Sequence, residues 1–288
     1  DSSPSRGLGD VYKRQAIRGM NTAVLWSPFF VSFAVGQLYL PSQSAWLGII
    51  FGLLVALLFN LISMRFLIGK FTLNYLIEAI SCVKPIFPRL LILSISVLAV
   101  GQIFDKTALN AIVIVIPILV IVQMLRRPET IKSIISNLNN LILKSGDEML
   151  LISVSMFLGS ILSGSVEIQN FMSNNIGNNF PFWAMIILLP LIVWIFGLIG
   201  IHPIITSAPI LSLFGPLLSL WEAAFLMQAH LIGWCAGTAT SFTSLSVLTT
   251  AENFRLHISK LVLGPNLFAT GCLTFIGAIL LITLNYLF

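Results

Sequence analysis

The sequence predicts an all-α protein that crosses a membrane several times and whose helices are interrupted at membrane depth. Of its 288 residues, 57% are hydrophobic and only 9% are charged, whereas about a quarter of the residues in a typical soluble protein are charged. The charges gather between long apolar runs, so a lipid bilayer is the expected solvent for most of the chain. Polar and glycine-rich breaks fall inside several of those runs, which predicts broken helices.

The chain begins with a short segment that differs from everything after it. Residues 1–15 are small, polar and basic, and the DVYKRQ at 10–15 matches the translation of a transposase adapter used in sequencing libraries. Leaders of this kind are excluded from reasoning about the fold. We therefore expect an artefactual, disordered leader, with the biological sequence beginning near Ala16. A genuine basic cytoplasmic tail is the alternative.

Residues 16–66 are expected to form the end of a first repeat. Their first apolar segment, 22–40, is interrupted at 26–28 by Trp-Ser-Pro. The second segment, 45–66, is an uninterrupted apolar run of about the 20 residues that a spanning helix requires. An interrupted helix followed by one full span is therefore predicted.

Residues 67–147 are expected to form connecting spans with amphipathic surface helices. Two apolar stretches, 90–104 and 108–125, predict a tight helical pair. Within the flanking basic loops, 71–83 and 131–141 have apolar residues at helical spacing. This pattern is typical of short helices that lie in the membrane interface.

Residues 148–288 are expected to form a second repeat. Basic loops mark the cytoplasmic side and require an odd number of crossings between 148 and 220. A re-entrant hairpin plus one broken helix satisfies this requirement, and so do three full spans. The predicted elements are a hairpin tip at FLGSILSGSVE (157–167), broken helices at GIHPIITSAP (200–209) and CAGTATSFTS (235–244), and a last span at 262–287.

Two interrupted segments match each other and indicate an inverted repeat. NTAVLWSPFF (21–30) and GTATSFTSLS (237–246) place Thr22 and Thr238 in the same register, and each segment is followed by one long span. The basic loops orient the two segments in opposite directions. Inverted repeats of this kind bring broken helices together near the bilayer midplane, where they line a substrate site. Chance recurrence of small residues is the alternative.

The candidate site residues lie at the breaks, because free backbone groups at membrane depth need partners from protein, water or a ligand. A half-helix N-terminus favours an anion, and exposed carbonyls favour Na⁺, here near Gly237, Thr238 and Ser207. The alternatives are close packing of small residues at 157–167 and, at 200–209, a proline kink with hydroxyls bonded to their own helix. The predicted substrate-binding residues are Asn21, Thr22, Ser27, Pro28, Gly159, Ser160, Ser163, Gly164, His202, Thr206, Ser207, Thr238, Thr240, Ser241 and Thr243.

Several classes of function are disfavoured by the same sequence. All ten acidic residues lie in the leader, in loops or at segment ends, which argues against an exchanger that works through buried carboxylates. The sequence has no phosphate-binding glycine loop, dinucleotide motif, metal-binding histidine pair or Ser/His/Asp arrangement, so neither an enzyme nor a bound cofactor is expected. Basic cytoplasmic loops explain the net charge of +5 without a nucleic-acid partner.

The order of these motifs resembles the C-terminal half of transporters in the ion transporter superfamily, such as the divalent anion:sodium symporters. In that family a Ser-Asn-Thr signature closes the hairpin region, and a Thr-Pro-Pro-Asn-like segment follows on the next interrupted helix. Residues 204–207 and 240–244 stand at these two places, with different letters, and Pro28 is retained in the corresponding segment of the first repeat. The resemblance implies a carboxylate substrate, sodium coupling, and further helices of the first repeat upstream of this chain.

The sequence therefore predicts a multi-pass secondary transporter of the bacterial cytoplasmic (inner) membrane, which moves a small, carboxylate-like anion by alternating access with Na⁺ as the coupling ion. Two alternatives remain open. One is a proton-coupled exporter or antiporter that uses His202 as a proton relay, and the other is a membrane assembly subunit that transports nothing. The expected partners are the lipid bilayer, the anionic solute and, at most, a second copy of the chain.

Overall fold

The computed structural model describes residues 17–68, 84, 87–104, 108–126, 146, 149–150, 153–162, 164–174 and 180–287. Every regular element in these ranges is a helix, which confirms the predicted all-α class for this part of the chain. The predicted leader and both predicted surface helices lie outside these ranges. The helices are α1 (17–22), α2 (Val31–Tyr39), α3 (Ser42–Ile68), α4 (Phe87–Ile103), α5 (Ala108–Arg126), α6 (153–162), α7 (Val166–Met172), α8 (Phe182–Leu198), α9 (Pro203–Phe214), α10 (Leu220–Ala239), α11 (Leu245–Phe254), α12 (Ile258–Val262) and α13 (Pro265–Asn285).

The chain divides into two compact units. Residues 68–150 form one unit, and the residues before 68 and after 150 form the other. In the 68–150 unit, α4 and α5 pack against each other and occupy the two apolar stretches from which a helical pair was predicted. The candidate site residues all belong to the other unit.

One helical stretch among the described residues, Ile258–Asn285, is long and apolar enough to cross a membrane, with a mean hydropathy of 2.3 in its most apolar window. It comprises α12 and α13. Several shorter apolar helices accompany it, among them Leu47–Ile62 within α3 and Asn110–Arg126 within α5. The length and hydropathy of these helices thus support a membrane-associated protein.

The first predicted interruption lies between α1 and α2. After α1 the chain passes through a short 3₁₀ turn at Ala23–Leu25, leaves helical geometry, and becomes helical again at Val31. Pro28 stands inside this break, and proline both lacks an N–H donor and disfavours helical geometry in the residue before it. The 27-residue helix α3 follows directly and contains the predicted span 45–66.

Helices α8 and α9 form an antiparallel hairpin. Their far ends meet where the rings of Phe180 and Phe214 lie 6.4 Å apart. At the tip, Gly200 has a φ of 91°, a left-handed conformation that favours glycine. Pro203 occupies the first turn of α9, and His202 Nδ1 accepts a hydrogen bond from the N–H of Ile204 at 3.3 Å. The sequence Gly-Ile-His-Pro thus ends one helix and starts the next.

This hairpin bears on the two arrangements predicted for 148–220. A single broken helix at 200–209 is not what the structure shows, because the chain reverses direction between α8 and α9. The alternative of three full spans requires such a reversal at this point. At 17 and 12 residues, α8 and α9 are about 25 and 18 Å long, short of the ~30 Å needed to cross a bilayer. A glycine followed by X-His-Pro is compatible with either a kink or a reversal, and the left-handed φ of Gly200 selects the reversal.

Helix α10 is the core of its unit. Every residue from Ala223 to Gly237 is buried, as expected for a helix surrounded by protein. It runs parallel to α8, because Gly233 lies against Pro190 and Gly237 lies farther along, against Val193 and Gly197. An added Cβ at Gly197 would lie 2.8 Å from the Gly237 Cα, so the GWCAG sequence (233–237) allows the two backbones to approach closely.

A capping box defines the start of α10. The Ser219 hydroxyl accepts from the N–H of Glu222, and the Glu222 carboxylate accepts from the N–H of Ser219 at 2.9 Å. We expect Ser219→Ala to lower the free energy of unfolding by about 1 kcal/mol, measured by thermal unfolding in detergent. Ser219→Asp, which retains an acceptor, serves as the control and should restore most of the loss. Equal destabilisation by both variants would contradict this role of the cap.

Candidate functional site

The two interrupted segments, α1–α2 and α10–α11, lie against each other in opposite directions. Near the start of α2, the Ser32 carbonyl lies 2.9 Å from His230 Nε2 on α10. At the end of α1, Asn21 Oδ1 accepts a hydrogen bond from the Thr238 hydroxyl at 2.9 Å. Residue numbers therefore decrease from 32 to 21 along the first segment as they increase from 230 to 238 along the second. The two segments are antiparallel.

Asn21 is the polar junction between the two segments. It is 4% exposed, and its Nδ2 donates to the Ile17 carbonyl at 2.9 Å and to Ser246 Oγ at 3.4 Å. Ser246 is the second residue of α11, so Asn21 contacts both sides of the break between α10 and α11. Since Thr238 is also in the predicted set, the structure joins two predicted site residues directly.

The hairpin tip contacts the second break. The hydroxyl of Thr243 donates to the carbonyl of Gly200 at 3.0 Å, and it lies 3.1 Å from Ser241 Oγ. Thr240, in contrast, donates to Ala236 within its own helix at 2.8 Å. The loop at 240–244 is therefore attached to the α8–α9 hairpin through one exposed hydroxyl.

An aromatic cluster connects the hairpin to α10. The indole of Trp234 lies edge-on between two imidazoles, with ring centroids 5.5 Å from His202 and 5.4 Å from His230. His230, Trp234 and Thr238 are spaced four residues apart, so they lie along one face of α10. This face contacts α2 through His230, the hairpin tip through Trp234, and α1 through Thr238.

Three helix N-termini lie along that face. Helix α2 begins beside His230, α9 begins beside Trp234, and α11 begins beside Thr238 and Asn21. His230 and Thr238 are eight residues apart, a rise of about 12 Å. No side chain caps α2 or α11, so their first N–H groups remain as donors. The positive end of a helix dipole and unbonded N–H donors at a helix N-terminus both favour an anion.

Three buried polar atoms on the same helices lack a hydrogen-bond partner among the described residues. They are Ser32 Oγ on α2, Ser207 Oγ on α9 and Nδ1 of His230 on α10. Buried polar groups in native proteins are almost always paired, since an unpaired one costs about 1–3 kcal/mol. The region therefore has unused hydrogen-bonding capacity in a protein interior.

The structure separates the predicted hairpin at 157–167 from this region. The Tyr39 hydroxyl donates to the Met156 carbonyl at 3.3 Å, and a Cβ added at Gly159 would overlap that hydroxyl. Ser160 lines a cavity of about 330 Å³ with Tyr39 and Ser212. This cavity lies at the far end of α9, about 18 Å along the helix from the hairpin tip. Gly159 and Ser160 are thus not brought together with the other candidate residues.

The remaining predicted residues have local roles or lie elsewhere. Thr22 Oγ1 accepts from Asn60 at 3.3 Å, while Thr206 donates to the Pro203 carbonyl at 3.0 Å within its own helix. Buried Ser27 accepts from the N–H of Phe29 at 3.4 Å. Half-buried Pro28 lies in the same break, Gly164 has open space around it, and Ser163 lies outside the described residues.

The proposed sodium ligands are not assembled into one site by any contact among the described residues. Gly237 packs against the Val193 carbonyl, and the hydroxyl of Thr238 donates to Asn21 and to the Trp234 carbonyl. Ser207 lies about one turn into α9, whose first residue, Pro203, packs against Gly237, and among the described residues no hydrogen bond joins the Ser207 hydroxyl to either of the other two. Among the described residues, no three His, Cys, Asp or Glu side chains come together as metal ligands.

Sequence reasoning missed Gln228 and Gly52, which support the first break. Gln228 is fully buried on α10, and with its amide nitrogen as donor it reaches the carbonyls of Leu25 at 3.2 Å and Gly48 at 2.9 Å. The Leu25 carbonyl is released by the break and lies directly against Gly52 of α3. A lone glutamine within an apolar helix was the signal available in the sequence.

Comparison with known proteins gives no indication of function, so function is inferred from the geometry described above. No protein-family model matches the chain, and neither a curated protein nor a solved structure matches it. The functional conclusion therefore depends on the place where the two breaks and the hairpin tip meet. We refer to this place, defined by the contacts of Asn21, Ser32, Gly200, Thr238 and Thr243, as the break junction.

Proposed function

We propose that the chain is a multi-pass secondary transporter of the cytoplasmic membrane, which binds a small anion at the break junction. The observation that supports this most strongly is the row of three helix N-termini along one face of α10, spread over about 12 Å. Backbone N–H groups and helix dipoles bind anions without a basic side chain. Broken helices whose N-termini point at an anionic group are a recurrent design of secondary transporters.

The membrane location is supported by the exposed surface of the helices. Large apolar side chains are exposed along α3 and α13, and Phe268 is 77% exposed. Soluble monomers rarely expose such continuous apolar surface, whereas lipid-facing helices require it. Helices shorter than a full span, such as α8 and α9, are compatible with a membrane when they form a hairpin enclosed by protein.

An inverted repeat is supported by the antiparallel contact between the two interrupted segments. The hydrogen bond between Asn21 and Thr238 joins the two stretches of matching sequence, and the contact of Ser32 with His230 lies just beyond them on the neighbouring helices. In such an arrangement, rocking one repeat against the other exposes a fixed site to each side in turn. The Thr243 contact to Gly200 is a single hydroxyl bond between loop and hairpin tip, which suits a contact that breaks and re-forms.

The transported solute is proposed to be carboxylate-like and Na⁺-coupled, as in the ion transporter superfamily that the sequence resembles. The one specific observation for a different coupling is the pair of imidazoles, His202 and His230, on either side of Trp234. Proton coupling through His202 predicts uptake that follows a pH gradient without Na⁺ and is lost in His202→Gln. Sodium coupling predicts that His202→Gln retains Na⁺-dependent uptake.

Anion uptake by proteoliposomes tests the proposal. We expect Thr243→Val to lower the initial rate about fivefold, because the tip loses a hydrogen bond worth about 1 kcal/mol with little change in volume. Thr249→Val is the matched control, since among the described residues its hydroxyl bonds within its own helix alone, to Leu245 and Ser246. Equal rates for the two variants would contradict the proposed role of the tip. Absence of flux for every anion tested would favour the assembly subunit instead.

A further inference from the structure

A groove between α3 and α13 forms a second cavity, and one end of it reaches α1 at Arg18, three residues before Asn21 of the break junction. Its volume is about 440 Å³. Apolar side chains line it along both helices, including Leu58 and Ile62 of α3 and Phe268 and Ile276 of α13. Among the described residues that line the groove, Arg18 alone is charged. The cavity thus has a long apolar part and one cationic end.

The cationic end is built from two helices. Arg18 of α1 is 6% exposed, and it donates from Nε to Asn266 Oδ1 at 3.0 Å and from a terminal nitrogen to the Pro265 carbonyl at 3.1 Å. Asn266 is 1% exposed, and its Nδ2 donor has no partner among the described residues. Pro265 and Asn266 begin α13, which no side chain caps. A buried cation, an unused amide donor and a helix N-terminus therefore lie together.

Neighbouring charges place this end at the cytoplasmic face. Helix α12 ends two residues before α13 begins, and the preceding stretch contains Arg255, His257 and Lys260. Basic residues beside a span mark its cytoplasmic end. The cytoplasmic leaflet is also the one in which anionic lipids attract basic groups. The cationic end of the groove is thus at the depth of lipid headgroups.

We infer that the groove binds an anionic phospholipid, with the headgroup phosphate at Arg18 and Asn266 and one acyl chain along α13. Phe268 and Leu280, near the two ends of the apolar lining, are 12 residues apart. That separation is about 18 Å, slightly more than half of the ~30 Å hydrocarbon core. An acyl chain of one leaflet therefore fits the groove. The site rests on the proposed membrane location but is independent of the transported solute.

Native mass spectrometry of the full chain in detergent tests this site. The purified protein is mixed with equal amounts of phosphatidylglycerol and phosphatidylcholine that have identical acyl chains. We expect phosphatidylglycerol to be retained about tenfold more than phosphatidylcholine. The phosphate of phosphatidylglycerol keeps a net negative charge that can pair with the Arg18 guanidinium, whereas the choline cation of phosphatidylcholine neutralises its own phosphate. Arg18→Gln should reduce that preference to near unity.

A second variant keeps the test valid where Arg18→Gln fails to fold. Ala269→Phe fills the groove and leaves Arg18 and Asn266 in place, and it should abolish lipid retention. Ile279→Phe adds a ring to an exposed position of the same helix outside the groove and should retain lipid like the unmodified chain. Equal retention of the two lipids, or equal retention by the two phenylalanine variants, would overturn the inference. Preferential retention of free oleate over phosphatidylglycerol would overturn it as well.

Anion flux through the same preparations separates this inference from the proposed function. Equal retention of the two lipids by the unmodified chain, together with normal flux, contradicts the lipid site alone. Normal lipid preference with no flux for any anion contradicts the transport proposal alone.

Discussion

Gly52→Ala is expected to destabilise the protein by about 3 kcal/mol, the upper end of the usual cost of overpacking. A Cβ at this position would overlap the backbone carbonyl of Leu25 and lie 2.9 Å from the Gln228 amide. The carbonyl cannot retreat without losing its Gln228 donor, so the first break must change its geometry. The measurement is thermal unfolding of the purified protein in detergent.

Gly19→Ala is the matched control for this prediction. Gly19 lies on α1, close in sequence to the same break, and an added Cβ there has no atom within 4 Å. Alanine is also the better helix former by about 1 kcal/mol, so the control should be neutral or slightly stabilising. Similar unfolding temperatures for the two variants would show that Gly52 does not hold the break in place.

Asn21→Leu is expected to reduce the rate of anion uptake about thirtyfold. Leucine has a similar volume but removes the hydrogen bonds to Thr238, Ile17 and Ser246, and a loss of about 2 kcal/mol corresponds to that factor. The effect on uptake should exceed the effect on folding, because α10 remains packed against α8 without Asn21. Uptake and thermal unfolding are measured on the same preparation.

A double-mutant cycle with Thr238→Val isolates the contact between the two segments. Residues that share a hydrogen bond show a coupling energy of about 0.5–3 kcal/mol, so the double variant should be less impaired than the sum of the single variants. Additive losses would mean that Asn21 and Thr238 act separately, and the antiparallel junction would then have no role in transport.

Breaks near 26–28 and within 235–244 were predictable because their residue types conflict with a continuous apolar helix, although α10 continues through Gly237 to Ala239 and the second break covers only 240–244. Pro28 lacks a backbone donor, and the run of glycine and hydroxyl residues from Gly237 to Ser244 disfavours a helix. Local chemistry of this kind is sufficient to end a helix. It was also sufficient to identify Asn21, Thr238 and Thr243 as candidates.

The direction of the chain after a break was not predictable from local chemistry. Reversal at Gly200 depends on one backbone angle, and the docking of the tip on Thr243 depends on contacts between residues 43 positions apart. For the same reason, the small residues Gly159 and Ser160 resembled a substrate-binding tip but lie beside Tyr39. Their composition suits close helix packing and ligand binding equally.

Gln228 illustrates a third limit of sequence reasoning. Its role depends on a carbonyl that is free only because Leu25 lies at the end of a broken segment, more than 200 residues earlier in the chain. A buried glutamine signals that some partner exists without identifying it. The structure supplies the partner and thereby links α10 to both α3 and the first break.

Two-sided accessibility of position 243 tests the central claim most directly. Thr243→Cys is made in a chain whose native cysteines are replaced by alanine and whose anion flux in proteoliposomes is retained. We predict that a membrane-impermeant thiol reagent modifies Cys at this position from either side of the membrane, and that the transported anion slows both reactions. Modification from one side only, or at a rate that the anion does not change, would contradict alternating access to an anion site at the break junction.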